Sequence, residues 1–526
     1  MPTLHWIGKE KVINHHLAVP FKVLEHKYGF DNGNLGSKET GSGNKIIHGD
    51  NLEALKALLP EYEGRIKCIY IDPPYNTGKE QWLYTDKVNH PTIQKWFKKT
   101  VGKEDEDLSR DDKWLCMMYP RIKLLHKLLS EDGVFFCSID DYEQANLKLV
   151  LDEIFGTGNF INNVIWQRAF SPINTKKRFS PNHDFIICYA KNIQSVQFVL
   201  PRTEGADNRY SNPDKDFRGD WTSSDLTVGP VVKEKLYEIE TPGGKTYLPP
   251  SGRCWVVTKE RFIELKNESR IWFGENGVNM PRLKRFKNDV KDGMTPMTVW
   301  THKEVGHTQD AKKEIKEIFF DSDLPFDTPK SIRLMERIVQ LGSHSDSIIL
   351  DSFAGSATTA HAVLNLNKQD GGNRKFILIE MEEYAETITA ERVKRVMNGY
   401  ADTEGTGGSF DFYKLGEPLF TDDGTLNDMA GIEKMRRYIY YTETQTFLNG
   451  NHYSDNPYFL GLFNNTAYYF QYEAENNTTL NHDFLSTIQT KAEQYIIYAD
   501  NCLLTKEFMA KRNISFKKIP RDITLF

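Results

Sequence analysis

Apolar and polar positions along this chain alternate between two periods. KIIHGD, NLEALKALLP and RIKCIYID read in succession as a strand, a helix and a buried strand. WLCMMYPRIKLLHKLLSEDG carries apolar residues at helical spacing and closes on Asp-Gly. GVFFCSIDD is a short apolar run, EQANLKLVLDEIFG is helical, and NVIWQ and HDFIICYA return to strand character. Nearly continuous apolar strands between helices predict a doubly wound α/β domain with a mainly parallel sheet. From about 193 to 325 the pattern breaks into short strand-like pieces crowded with proline, glycine, aromatic and basic residues. It returns at DTPKSIRLMERIVQLG, SIILDSFAGSATTAHAVLNL and KFILIEMEE. The prediction is one α/β domain in two halves, 45–192 and 326–401, around an insertion at 193–325. An N-terminal extension (1–44) precedes it. A C-terminal α+β segment (402–526), rich in tyrosine and asparagine, follows. The polar stretch around Lys87 to Asp112 reads as a solvent-facing loop or short helices.

Composition narrows the class. At 526 residues, with 39% apolar and 27% charged positions, the chain has the make-up of a soluble globular protein of two or three domains. A net charge of −6 excludes a chain coated in basic charge but leaves room for a local basic cleft. The six cysteines, Cys68, Cys116, Cys137, Cys188, Cys254 and Cys502, lie far apart with no C-x-x-C pair, several inside apolar runs. They read as reduced core residues, so neither a disulfide framework nor a metal site is expected. The N-terminus lacks an apolar signal region and no stretch is long enough to span a membrane, which predicts a cytoplasmic protein.

Two strand ends carry candidate chemistry. SIILD ends on Asp351, FAGSATT is a tight loop of small residues (Phe353, Ala354, Gly355, Ser356), and a helix follows. Strand, small-residue turn and helix N-terminus can hold an anion or a nucleoside at the carboxyl edge of a sheet. Glu380, at the end of KFILIE, suits a ribose diol. A tight turn followed by a solvated acid is the plainer alternative. No G-x-x-x-x-G-K-[ST] occurs, which disfavours phosphate hydrolysis. The other strand end is IDPPYNTG. Asp72 and the Pro73 carbonyl can each accept a hydrogen bond from an exocyclic amine, drawing its lone pair out of conjugation for alkylation. Pro73 and Pro74 hold that carbonyl with fixed φ angles, and Tyr75 offers a ring for an extruded base. The alternative is an aspartate-capped turn with a core tyrosine.

IDPPYNTG, followed by DSFAGSATTAHAV and KFILIE, resembles the DNA amino-methyltransferases that use S-adenosylmethionine. The order, with the DPPY motif before the cofactor loop and an insertion between, is similar to their β group. HGDNLEAL, FFCSIDDYE, GRCWVV, MPRLKRF, TPKSIRLMERI and DGGNRKFILIE resemble the modification (Mod) subunits of type III restriction–modification systems, over roughly residues 45 to 415. The resemblance implies a Rossmann-like methyltransferase domain in circularly permuted order, interrupted by a target-recognition insertion. It implies catalysis by Asp72, Pro73, Pro74 and Tyr75. It implies cofactor contacts from Asp50 beside the adenine, Lys330 near the methionine moiety, Glu380 at the ribose, and Asp351, Phe353, Ala354, Gly355 and Ser356 in the loop. The acidic first letter of DPPY favours adenine N6 over cytosine N4. The implied partners are double-stranded DNA, a second copy of the chain and a separate ATP-dependent restriction (Res) subunit. Ala357 stands where many relatives have a second glycine, a change expected to be mild at a helix start. Ser352 stands where phenylalanine or proline is common.

The insertion is the expected target-recognition region. NTKKR at 174–178, Arg282, Lys284, Arg285 and Lys287 are candidate phosphate contacts, with Trp221, Trp255 and Trp272 shaping the surface. Solvated charges and core tryptophans are the bland alternative for each. A solitary methyltransferase and a catalytically dead recognition subunit compete with the Mod reading; the intact Asp72, Pro73, Tyr75 and Gly355 count against the latter.

Overall fold

The apolar runs form the middle of an eleven-stranded sheet. In the computed structural model its strands, in chain order, are β1 (Lys22–Asp31), β2 (Asn34–Gly36), β3 (Lys45–His48), β4 (Ile66–Ile71), β5 (Leu129–Ile139), β6 (Phe160–Trp166), β7 (Asp184–Ala190), β8 (Val299–Trp300), β9 (Ile348–Asp351), β10 (Lys375–Glu380) and β11 (Ser409–Pro418). They lie in the order β8-β6-β7-β5-β4-β9-β10-β3-β11-β1-β2. The structure describes residues 3–77, 109–172, 177–202, 204–289, 293–322, 326, 328–421, 423–446, 448 and 456–523. Most of the expected loop from Lys87 to Asp112, through residue 108, and residues 174–176 of the NTKKR run lie outside the described residues.

The core of the sheet is parallel. β5, β4, β9, β10, β3 and β11 run the same way, while β7 reverses against β5 and β1 against β11. Five of the six residues of β4 and five of the six of β10 are buried, as expected for strands covered on both faces. The covering helices include α1 (Asn51–Tyr62), α2 (Arg110–Leu128), α3 (Gln144–Phe155), α4 (Thr308–Ile318), α5 (Ile332–Gly342), α6 (Thr358–Asp370) and α7 (Glu391–Asn398). Leu52, Leu55 and Leu59 of α1 share one core with Met118, Ile122 and Leu125 of α2. From β9 the chain passes to β10 on one side; from β4 it passes to β5 on the other. The adjacent carboxyl ends of β4 and β9 are therefore a topological switch point, the place where doubly wound sheets bind ligands.

Both flanks of the expected domain enter this sheet. β1 and β2 come from the 1–44 stretch, and β11 begins after residue 402 and pairs with β3. The expected boundaries at 44 and 402 therefore cut across continuous main-chain pairing. Beyond β11 lie α8 (Ile432–Thr444) and a four-stranded sheet of β12 (Phe459–Phe463), β13 (Thr466–Phe470), β14 (Gln494–Ala499) and β15 (Ile514–Lys518). Among the described residues no helix is long and apolar enough to cross a membrane, and no cluster of His, Cys, Asp and Glu has the geometry to hold a metal ion.

Phe198–Pro296 forms its own compact unit, apart from Met1–Gln197 with Met297–Phe526. A three-stranded antiparallel sheet (Trp221–Asp225, Arg282–Phe286, Ile271–Trp272) accompanies a helix at Lys259–Asn267. Leu226, Ile239, Trp255, Phe262, Leu265 and Phe273 make its core. Lys284, a candidate phosphate contact in the sequence, is instead buried. It ion-pairs with Asp214 and, at 3.0 Å, Asp216, with its ammonium 5.1 Å from the centre of the Trp221 ring. Burial of a lysine requires such compensation. Trp221 and Trp255 are core residues. Arg282 and Arg285 are exposed, and Lys287 pairs with Asp207 at 3.0 Å.

Candidate active site

The switch point opens into a cavity of about 430 Å³, within the range of small-molecule sites. One wall is the turn after β4, with Asp72, Pro73, Pro74 and Tyr75. The other is the loop after β9, with Phe353, Ala354, Gly355 and Ser356, above Asp351. Lys330 reaches the same cavity from the segment before α5. Ten of the twelve site residues expected from the sequence therefore line one space, although residues 72 and 351 are far apart in the chain. The hydrogen-bonded pairing of β4 with β9, Ile69 opposite Leu350 and Tyr70 opposite Asp351, brings the two strand ends side by side.

The β4 turn is held by side chains. Tyr75 donates its hydroxyl to Asp72 Oδ1 at 2.8 Å. Asp72 Oδ2 accepts from the Lys330 ammonium, which also lies 5.4 Å from the Tyr75 ring centre. The fully buried Trp114 of α2 donates its indole N–H to the Pro74 carbonyl at 2.6 Å. Asn76 adopts a left-handed backbone, φ 59°, which asparagine tolerates better than most residues. Its amide donates to Glu143 and, at 3.1 Å, to Asp111. Burial pushes the Glu143 carboxyl up to about 7.

The β9 loop is held by backbone conformation and by a cation behind it. Gly355 and Ala357 both have left-handed φ, 51° and 62°. Ala357 was expected to be a mild replacement for glycine; at this φ its Cβ costs about 1–2 kcal/mol, so the departure strains the loop. The Gly355 N–H donates to Glu380 Oε2 at 2.7 Å, and the Gly355 carbonyl accepts from the Thr389 hydroxyl at 2.6 Å. Thr389 lies in a π-helical turn, Glu386–Ala390, that leads into α7. From α7 the buried Arg392 donates to the Ser356 carbonyl at 3.1 Å, the Ser356 hydroxyl at 3.0 Å and the Thr358 hydroxyl at 2.8 Å. Asp351 accepts from the Phe353 N–H at 3.0 Å and the Thr359 hydroxyl at 2.5 Å. Burial pushes Asp351 up to about 7 and Glu380 up to about 8. Ser352 is buried; its carbonyl accepts from Asn51 at 3.2 Å, and its hydroxyl has no hydrogen-bond partner among the described residues.

Asp50 and Glu380 are the two expected residues that do not line the cavity. Glu380 lies under the loop with both carboxylate oxygens accepting backbone N–H groups, from Gly355 and, at 3.0 Å, Glu382. Asp50 caps α1 through the N–H groups of Leu52 and Glu53 and pairs with Arg121 at 3.2 Å. The two acids end neighbouring strands, Glu380 standing opposite His48 in the β10–β3 register.

The structure adds residues that sequence reasoning missed. Arg168, at the end of β6, pairs at 2.7 Å with the buried Asp184 that starts β7, and both line the cavity. Burial raises the Asp184 carboxyl above its ordinary value. Only Asn76, inside the motif itself, carried a signal in its residue type. Trp114, Glu143, Arg168, Asp184, Thr389 and Arg392 stand outside both motifs and reach them only through the fold.

A family model described as a DNA methylase, of the N6/N4 type, matches residues 66–391. The Mod subunit of the type III restriction-modification enzyme StyLTI from Salmonella typhimurium is 35% identical over 362 residues, 66% of this chain and 54% of that protein. The type II methyltransferase M.KpnI from Klebsiella pneumoniae is 32% identical over 357 residues, 64% of this chain and 81% of that one. The crystal structure of the M1.HpyAVI-SAM complex aligns with a TM-score of 0.31 at 14% identity, covering 66% of this chain and 98% of that chain. The chain spans 54% to 66% of the length of the type III relatives it matches first.

Proposed function

This chain belongs to the DNA methylase family, and on that premise we propose that it transfers a methyl group from S-adenosylmethionine to N6 of an adenine extruded from double-stranded DNA. The observation that carries the reading is the single cavity joining the Asp72–Tyr75 turn to the Phe353–Ser356 loop. Its lining fits the cofactor. A left-handed glycine sits at the loop, the acidic side chains of Asp184 and Asp351 line the cavity, and the rings of Tyr75 and Phe353 offer cation–π attraction to a positively charged sulfonium. Phe353, Ala354, Gly355 and Ser356 would hold it, with Asp351 and Glu380 shaping the loop and Asp50 at the neighbouring strand end. Glu380 accepts one backbone N–H on each carboxylate oxygen and keeps further acceptor sites for a ribose hydroxyl. When bound, S-adenosylmethionine supplies an electrophilic methyl carbon.

The protein must make the amine a nucleophile. The Asp72 carboxylate and the Pro73 carbonyl would accept the two N–H groups of the adenine amine, freeing its lone pair to form the new N–C bond as the methyl carbon's bond to sulfur breaks and S-adenosylhomocysteine leaves. The nitrogen becomes cationic as it gains the methyl group, and it then releases one proton by way of Asp72 to solvent. A carboxylate stabilises that developing charge directly; the choice of adenine rests on the resemblance of the Asp-led motif to adenine-N6 enzymes. The Tyr75 ring provides the stacking face for the base. Arg282 and Arg285 of the Phe198–Pro296 unit are the exposed cations best suited to phosphate contacts, and this unit reads the target sequence. The likeness to the StyLTI Mod subunit supports a role as the modification subunit of a type III restriction-modification system; a dimer, a separate restriction subunit and a cytoplasmic location go with that reading as part of the proposal.

The test is to incubate the purified chain with duplex DNA and methyl-labelled S-adenosylmethionine, then identify the modified nucleoside by mass spectrometry. N6-methyladenine at a fixed sequence is the expected product. N4-methylcytosine would overturn the base assignment. Absence of transfer despite cofactor and DNA binding would favour the inactive recognition subunit.

A further inference from the structure

Lys330 was expected near the methionine end of the cofactor, yet its ammonium lies on Asp72. The surrounding charges explain why a cation is needed there. Asp72 shares the cavity with Asp184 and Asp351, and both feel its charge. Each of the other two acids has its own partners. Arg168 takes Asp184, while Thr359 and the Phe353 N–H take Asp351. Beneath lie the buried, neutral Tyr70 and Cys137. Lys330 is the counter-charge of Asp72, only 12% exposed against 22% for its partner. The segment that carries it is anchored. Ser331 is fully buried, and the next N–H, of Ile332, donates to Glu314 Oε2 of α4 at 3.0 Å.

We infer that Lys330 is a positioning residue that holds Asp72 as an oriented acceptor for the target amine, rather than a binding contact for the cofactor. An Asp72 carboxylate turned away from the amine would leave an N–H group without its acceptor, and the lone pair would not be released. A carboxylate has acceptor sites to spare for the amine beside Lys330 and Tyr75. The same cation opposes the positive charge that develops on the amine nitrogen. Its value therefore lies in the direction it imposes on the carboxylate.

This inference rests on the proposed methyl transfer, and the experiment separates the two. Lys330→Gln and Lys330→Arg are compared with the unaltered protein in turnover and in calorimetric affinity for S-adenosylmethionine. Lys330→Gln is expected to lose roughly tenfold or more of its kcat near neutral pH. Cofactor affinity should be unchanged. Lys330→Arg, which keeps the charge and guards against a folding defect, should retain most of the turnover. A fall in cofactor affinity that accounts for the lost activity would overturn the inference, as would near-normal turnover in Lys330→Gln. An unaltered protein that binds cofactor and DNA but methylates nothing would instead overturn the proposed function. In that case unchanged calorimetric affinity in Lys330→Gln still supports a Lys330 that does not contact the cofactor, and weakened affinity rejects it.

Discussion

The turns after β4 and β9 end neighbouring parallel strands and face one cavity, yet they are built by opposite means. The first has little backbone freedom of its own, with two consecutive prolines, and side chains aim it: Tyr75 and Lys330 on Asp72, Trp114 on the Pro74 carbonyl, Asn76 on Glu143. The second is made of small residues with two left-handed positions, and its polar backbone is gripped from below by Glu380, Thr389 and Arg392. A turn that must present two acceptors to a reacting amine benefits from stiffness. A loop that must let a ligand approach its backbone needs small residues, and its rigidity has to be supplied from the side away from the ligand.

The largest effect should come from the stiff turn. Asp72→Ala removes a contact used in the transition state and is expected to lower methyl transfer by roughly 100-fold or more, with S-adenosylmethionine affinity retained. Near-normal turnover would break the division of labour between the two turns. Next is the grip under the loop. Arg392→Met leaves the Ser356 carbonyl and the Ser356 and Thr358 hydroxyls without their buried donor, and should cost about 2–3 kcal/mol in urea unfolding. It should also weaken cofactor binding, whereas Asp72→Ala should not.

The buried acids beneath the loop set a pH dependence. Asp351 and Glu380 have folded values near 7 and 8, against about 4 for unfolded carboxylates. Between those limits the folded state holds protons that the unfolded state has released. The contribution of each acid is therefore full below about pH 4 and is lost as pH rises through its folded value, at up to about 1.4 kcal/mol per pH unit. Denaturant melts of the ligand-free protein from about pH 5 to pH 8.5 should show a shallower decline in Glu380→Gln than in the unaltered chain. Equal slopes would mean that Glu380 is ionised throughout. The smallest effect is at Ala357. Glycine relieves the left-handed strain, so Ala357→Gly should raise stability by about 1 kcal/mol, read as a higher midpoint in the same melts. A loss would mean that the methyl group packs well enough to offset its backbone cost.

Much of the α/β domain and the two turns that wall the cavity could be read from the residues themselves. Continuous apolar runs such as RIKCIYI and KFILI declare buried parallel strands, because a strand covered on both faces has no polar side to show. DPPY and FAGS declare themselves because proline and glycine constrain the backbone locally, so each motif keeps its meaning wherever it falls in the chain. Pairing was decided only in the folded chain. That β1 and β11 join the sheet follows from main-chain hydrogen bonds, which carry no side-chain signature. Lys284 looked like a surface cation until Asp214 and Asp216 closed on it. Ala357 looked harmless until its φ was known. Trp114, Asp184 and Arg392 act on motifs across tens to hundreds of residues of intervening chain, and Lys330 meets Asp72 across 258 positions. Local constraint is written in residue type. The charge and hydrogen-bond partners of a buried group are chosen by the packing of distant strands and helices, and those choices exist only once the sheet has formed.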